Sequence, residues 1–478
     1  MHVDRLAGAR VALAARMVMQ PVQKRWRVLA GALLIAPLAT AAMAGTCYVS
    51  ATASGAGSGA SWIDAYADLQ SALIDVACSE VRVAQGVYRP VVPVNVGSVT
   101  AGERAVSFSI RPGVAVYGGF AGDETSFTGR DPVAHVTVLS GDIDANDDNN
   151  NADNNFIDET SADIVGSNTR HVVVLDGTAG TPIAASTVLD GFIVTGGDSN
   201  AGLPEGGGGL WCRGNGAGHA CSPTLSKLAF TGNRASGGGA MMLAGYSGGA
   251  GNATLTDVTF SGNSATTFGG AMFNYCEAGG ICSPTLTNVT FSGNSASTNG
   301  GAIFDNGGGG TSSPTLTNVT FNGNSANFGG AMYNSGVSNG SSLPQLHNVI
   351  LWGDSATGGG AESFDSPGTG AAQSSFYYAI IQGGCPNSCS NLITDDPLLG
   401  ALADNGGFTR TLMPGPGSPA IDAVPCYLES LTDQRSAVRP DPASAGLTKR
   451  CDLGAVEAGS LPGDWVFIDG FGVSPRDQ

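Results

Sequence analysis

Thr285–Ile303 reads TLTNVTFSGNSASTNGGAI, and Thr315–Met332 reads TLTNVTFNGNSANFGGAM. The pattern recurs as TLSKLAFTGNRASGGGAM (Thr224–Met241), TLTDVTFSGNSATTFGGAM (Thr254–Met272) and QLHNVILWGDSATGGGAE (Gln345–Glu362). The leucines Leu225, Leu255, Leu286, Leu316 and Leu346 set a period of 30 or 31 residues. A fixed period in this range marks a stacked repeat, in which each unit covers the open face of the next. Each unit opens with Thr, Val and Phe, which favour strands. Period-2 alternation places Leu316, Asn318 and Thr320 on one side and Thr317, Val319 and Phe321 on the other. A Ser-Gly-Asn-Ser turn follows, then a second short strand at Gly300–Phe304, then a glycine-rich loop. A chain that turns the same corner every 30 residues stacks its strands in parallel, about 4.8 Å apart. The fold expected is a right-handed parallel β-helix.

Stacking accounts for the repeated residues. Phe230, Phe260, Phe291 and Phe321 form an internal column that Leu351 closes. Asn233, Asn263, Asn294 and Asn324 share a turn position, where stacked amides hydrogen-bond along the axis. Paired glycines such as Gly329-Gly330 allow a corner that a Cβ would obstruct. Asn274, Asp305 and Asn334 form a second candidate ladder. The structural reading of these residues outweighs a catalytic one.

Phe-x-x-Asn at 230–233, 260–263, 291–294 and 321–324, with Gly-Gly-Ala-Ile at Gly300–Ile303, resembles the repeat of the polymorphic outer membrane proteins of the chlamydial type. The resemblance covers about 140 residues and implies surface display and adhesion. Proteins of that type end in a membrane β-barrel. The 117 residues after Ala361 show no series of alternating ten-residue strands, so none is expected within this chain.

The N-terminal part divides readily. Residues 1–44 read as a signal peptide, with basic Lys24, Arg25 and Arg27, an apolar run Val28–Ala42 and an Ala-x-Ala site at Ala42–Ala44. Without them the chain holds 15 Lys+Arg against 38 Asp+Glu, a net charge of −23. That argues against nucleic acid and anionic lipid as partners and suits an exported protein that is not integral to a membrane. Residues 45–164 hold the N-terminal cap and first coils. SWIDAYADLQSAL (61–73) is expected to be a short helix covering the open end of the solenoid. With VAQGVY (83–88), FSIRPGVAVYGGFAGDET (108–125) and TVLSGDID (137–144), it resembles the leader of many exported bacterial β-helix proteins.

Ten cysteines in an exported chain read as disulfides. Near neighbours group as Cys212 with Cys221, Cys276 with Cys282, Cys385 with Cys389, and Cys426 with Cys451, which leaves Cys47 and Cys78. Asp142, Asp144, Asn146 and Asp148 alternate as oxygen ligands for Ca²⁺ do. Asp147 stands where an EF-hand loop needs glycine, and Asp153 stands where it needs glutamate. A solvated acidic loop from Asp142 to Asp163 is the simpler account of the run.

Residues 165–394 continue the helix, with a degenerate repeat at Val188–Val194 and a last strand pair at Phe376–Gln382. Then DPLLG (396–400), LADNGGF (402–408), PGSPAID (416–422), DQR (433–435), RP (439–440) and CDLGAVE (451–457) follow in order. This run resembles the choice-of-anchor Q domain over residues 395–458, a small irregular C-terminal domain. It implies an exported β-helix protein sorted to the surface and brings no catalytic residues. Residues 459–478 form a tail, in which FIDGF (467–471) weakly resembles a terminal motif of exported proteobacterial proteins.

Two functions follow from different premises. One is an adhesin-like or structural protein, secreted or on the outer cell surface, with glycans or a cell-surface protein as partners. The alternative is a polysaccharide lyase or glycoside hydrolase on the same scaffold. A lyase needs a cation and a basic residue, and no Lys or Arg lies between Arg234 and Arg410. A glycosidase needs two nearby carboxyls. Asp257, Asp305, Asp354, Glu362 and Asp365 are scattered along the coils, and Glu362 and Asp365 fit the repeat least.

Overall fold

A computed structural model describes residues 45–91, 104–147, 157–200, 202–426, 430–439 and 450–460. Residues 1–44, Asp148 and the tail from 461 lie outside these residues. The strands form a parallel β-helix. Its long sheet has 13 strands, and sheets of eight, six and four strands make the other sides. Strand pairing between coils is parallel throughout.

One coil shows how the sequence makes the shape. The strand Thr315–Asn322 lies in the long sheet and pairs Leu316 with Leu286 and Leu346, and Phe321 with Phe291. Ser325–Phe328 forms the third side, Met332–Ser335 the second and Ser341–Ser342 the fourth. At its corner Gly329 has φ +66°, and a Cβ on Gly330 would lie 2.3 Å from the Ala361 carbonyl, so glycine fits there.

The period-2 reading of the long strand needs correction. Leu316, Val319 and Phe321 are all fully buried in one core cluster. Asn318 sits at φ +57°, and Asp257, Asn288 and Asn348 take the same left-handed conformation in their coils. Asn and Asp tolerate it best among residues with a Cβ. The bend resets the alternation, so positions three apart both face inward.

The cap helix is Leu69–Ile74, shorter than the 61–73 run suggests. Asp68 caps it by accepting from the Ser71 N–H at 2.8 Å. Residues 61–67 are turns, with Tyr66 bridged to Val49. Leu69, Ala72 and Leu73 close the core at this end.

The ten cysteines form five disulfides. Cys47 joins Cys78, which ties the first two strands of the long sheet across 31 residues. Cys212 joins Cys221 and Cys276 joins Cys282, each closing a loop between repeats at its base. Cys385 joins Cys389, and Cys426 joins Cys451. These are the four neighbour pairs expected from the spacing, and the two remaining cysteines make the fifth. A further strand, Ser388–Ile393, extends the long sheet beyond Ser375–Ile381, and Cys389 lies at its start.

The segment after Asp395 folds back over the outer face of the long sheet. Thr259 Oγ1 donates to the Arg410 carbonyl at 2.7 Å, and Thr290 Oγ1 to Gln434 Oε1 at 2.7 Å. Ala455 N–H donates to Thr320 Oγ1 at 3.0 Å. Ile350 and Ile380 pack against Ala420, Val424, Cys451 and Leu453. Two buried ion pairs hold the segment together, Arg435–Asp433 at 2.7 Å and Arg439–Glu457 at 3.0 Å.

Candidate functional site

The repeated residues are consumed by the scaffold. The rings of Phe230, Phe260, Phe291 and Phe321 stack at 5.0, 4.8 and 4.8 Å, within 6° of parallel. Asn233, Asn263, Asn294 and Asn324 each donate Nδ2–H to Oδ1 of the next coil, at 2.7–3.0 Å, and Asp354 is the last acceptor. Asn263 and Asn294 also donate to the Phe230 and Phe260 carbonyls of the preceding coil.

The coil acids belong to ladders as well. Asn274 donates to Asp305 and Asn334 to Asp365, each at 2.6 Å. Asp305 is fully buried, and burial pushes its carboxyl up to about 7. A third ladder escaped the sequence reading: Asn288 donates to Asp257, Asn318 to Asn288 and Asn348 to Asn318, at 3.1–3.2 Å. Its signal was present as the Asp or Asn in the middle of four TLT- or QLH-initiated strands, the same residue that bends the strand.

Of the acidic run, Asp142, Asp144 and Asn146 lie within the described residues, and each has its own surroundings. Asp142 is buried, accepts from the Asn146 N–H at 3.1 Å and pairs with Arg89 at 3.7 Å. Asp144 is exposed and accepts from the Ser167 N–H at 3.1 Å; Asn146 is exposed. Asp147, half-buried, and Asp158, buried, lie near Asp142. Asp147 accepts from the Val165 N–H at 2.7 Å and from Asn168 Nδ2 at 2.6 Å. Burial, then the neighbouring Asp147, push the Asp158 carboxyl up to about 8. Among the described residues, no group of three or more His, Cys, Asp or Glu is arranged to hold a metal ion.

Beside this corner, the outer face of the long sheet carries a cavity of about 270 Å³. Its floor is Ile193, Ala229 and Thr259, on three successive coils. Pro132, Val133 and Val136 form one wall; Ile157 and Glu159 form a second. The C-terminal segment supplies the third, through Asp404, Phe408 and Arg410. Arg130 fixes the first wall by donating to the Gly118 carbonyl and to the Asp190 carbonyl, the latter at 2.9 Å, and by pairing with Asp190. Arg410 meets Glu159 at 3.2 Å across the mouth; both side chains are exposed enough for the pair to be weak. The result is an apolar floor with charges of both signs on its rim, suited to an amphipathic ligand. Sequence reading could not find it, because its walls come from segments about 275 residues apart that only the fold-back of the C-terminal segment joins.

No helix among the described residues is long and apolar enough to cross a membrane. No curated protein matches the chain. The Chlamydia polymorphic membrane protein (Chlamydia_PMP) repeat matches residues 257–272 and 288–306. Each matched stretch runs from the left-handed corner residue through Phe-x-x-Asn to the glycine corner, so the chain is a parallel β-helix whose central coils are similar to that repeat.

Proposed function

We propose that the protein is an adhesin-like module, exported and displayed on the outer surface, that binds a glycan or a cell-surface protein in the cavity on its long sheet. The observation that carries the reading is the division of labour: the inward repeated residues form ladders and stacks, while non-repeated segments laid on the outer face of the same coils wall in the cavity. The similarity to surface-protein repeats and the five disulfides support the location. In this reading residues 1–44 direct export, and 395–458 is a choice-of-anchor Q-type segment that also forms a cavity wall. A glycan-array screen of the chain from Gly45, with and without Ca²⁺, beside a reducing-sugar assay, tests it. The Ca²⁺ arm examines the run Asp142, Asp144, Asn146 and Asp148. Binding without sugar release is expected.

The carbohydrate-active alternative draws on one observation: Glu159 and Asp404 both line the cavity, with Arg410 beside them. The other Arg–acid neighbours serve the scaffold, as Arg82–Glu80, Arg104–Asp198 and Arg130–Asp190. Sugar release abolished by Glu159→Gln would establish this alternative.

A further inference from the structure

The fifth coil departs from its neighbours at two positions that meet inside the helix. Ala326 pairs with Ala356 and Phe328 with Gly359, the spacing that the second and third coils also have, so the corner of this coil reads Gly360-Ala361-Glu362 where theirs read Gly-Gly-Ala. Met332 therefore faces Ser363. Glu362 falls in the corner column of Ala240, Ala271, Ala302 and Ala331, all fully buried. The same coil places Asp354 where its neighbours place the ladder Asn.

The two acids are 5 % and 6 % exposed. Asp354 Oδ1 is occupied, accepting from the Asn324 backbone N–H at 2.6 Å and from Nδ2 at 2.7 Å. Asp354 Oδ2 and both Glu362 carboxylate oxygens have no donor in hydrogen-bonding geometry, although the Asp354 backbone N–H lies near enough to Glu362 to favour its charged form. The groups that bear on the pair are few. Asn324 comes from the preceding coil, and the charged influence on each acid is the other. Asp365, three residues on, is turned to Asn334, Ser374 and Asn387. No Lys or Arg lies anywhere from 235 to 409. Two facing carboxylates cannot both stay charged in so dry a corner. Burial and then Asp354 push Glu362 up to about 10, while burial raises Asp354 to about 7. One proton turns the facing acceptors into a carboxyl–carboxylate hydrogen bond.

We infer that Asp354 and Glu362 hold one proton between them, and that this proton is a latch that fastens the last coils and releases them in alkaline solution. The latched coil carries Ile350, which packs under the C-terminal segment. Opening the latch therefore loosens the attachment of that segment too.

Limited proteolysis of the full chain, with an alkaline-active protease and the cuts mapped by mass, reads the latch. Cleavage within 345–393 should rise about tenfold from pH about 7 to about 11, while 224–322 stays resistant. Glu362→Gln donates an amide N–H to Asp354 at every pH and should keep 345–393 resistant throughout. Glu362→Ala restores the alanine of the column, which protects folding, and should lose the pH response. An alkaline response in both variants equal to wild type would overturn the inference. So would Ca²⁺ protection of 345–393 at neutral pH that Glu362→Gln abolishes, because a metal ion would then occupy the corner.

Discussion

Asn233 donates both its backbone N–H and its side-chain Nδ2–H to a single atom, Oδ1 of Asn263 one coil on, each at 3.0 Å. The pattern repeats to Asp354, so each ladder amide fastens two coils at once. Replacing Asn294 by alanine takes the acceptor from two Asn263 donors and the side-chain donor from the Phe260 carbonyl, and leaves Asn324 Oδ1 with only the residue-294 backbone N–H. Asn294→Ala should therefore cost about 3 kcal/mol or more, at about 1–3 kcal/mol per buried orphaned group. Chemical denaturation measures it, and a loss below about 1 kcal/mol would show that the ladder is not a structural spine.

The phenylalanine column makes a separate contribution. Phe291 lies between Phe260 and Phe321 at 4.8 Å on both sides. Phe291→Ala should destabilise by about 3–5 kcal/mol. Phe291→Leu should cost clearly less, because Leu351 already fills the equivalent site in the fifth coil. Equal losses for the two variants would remove volume as the cause.

Asp305 gives stability a sign with pH. Asp305 Oδ2 and Asn334 Oδ1 occupy adjoining coils, and neither has a donor unless Asp305 is protonated. Its carboxyl titrates at about 7 in the folded chain and near 3.9 when unfolded. The contribution is therefore complete below about pH 4 and is lost as pH rises through about 7. Thermal melts from pH 4 to 8 should show Asp305→Asn flattening that slope, with little loss at the acidic end. An unchanged slope would place the proton elsewhere.

The fold-back of the C-terminal segment rests on buried charge. Arg435 meets Asp433 at 2.7 Å and also donates to the Glu457 carbonyl, with both side chains almost wholly buried. Arg435→Ala leaves Asp433 uncompensated, a change of about 3–5 kcal/mol. Proteolysis should then remove the 395–458 region while the coils at 224–322 stay intact. Joint unfolding of both would show that the segment and the helix are one cooperative unit.

The elements differ in how plainly the sequence announces them. Phe-x-x-Asn and the glycine corner are dictated by contacts with the neighbouring coils, so they repeat and can be read. The cysteines are equally plain, since Cys221, Cys282, Cys389 and Cys451 each bond the cysteine nearest before them in the chain. The bend at Asn318 is a backbone event, and an Asn in a Thr-rich strand looks like ordinary alternation. Glu362 enters the alanine column because the corner is set at Gly360, so Ala361 stands in the place of the second corner glycine; matching the Gly-Gly-Ala text instead shifts the register by one. The cap helix reads long because Trp62 and Tyr66 mimic helical spacing, while they pack instead in turns and against the first strands. The cavity depends on long-range placement of 395–458, which carries no periodic signal.

The most direct test of the central claim compares the chain from Gly45 with its Ala229→Trp variant on a glycan array and in a reducing-sugar assay. Ala229 lies half-buried on the cavity floor, so the indole fills the cavity from a strand that the core already holds. Binding by the wild-type chain, lost at least about tenfold in a variant with an unchanged melting temperature and without sugar release, is the predicted result. Undiminished binding by the variant would place the ligand elsewhere on the helix. Release of sugar by the wild-type chain would contradict the adhesin-like account outright.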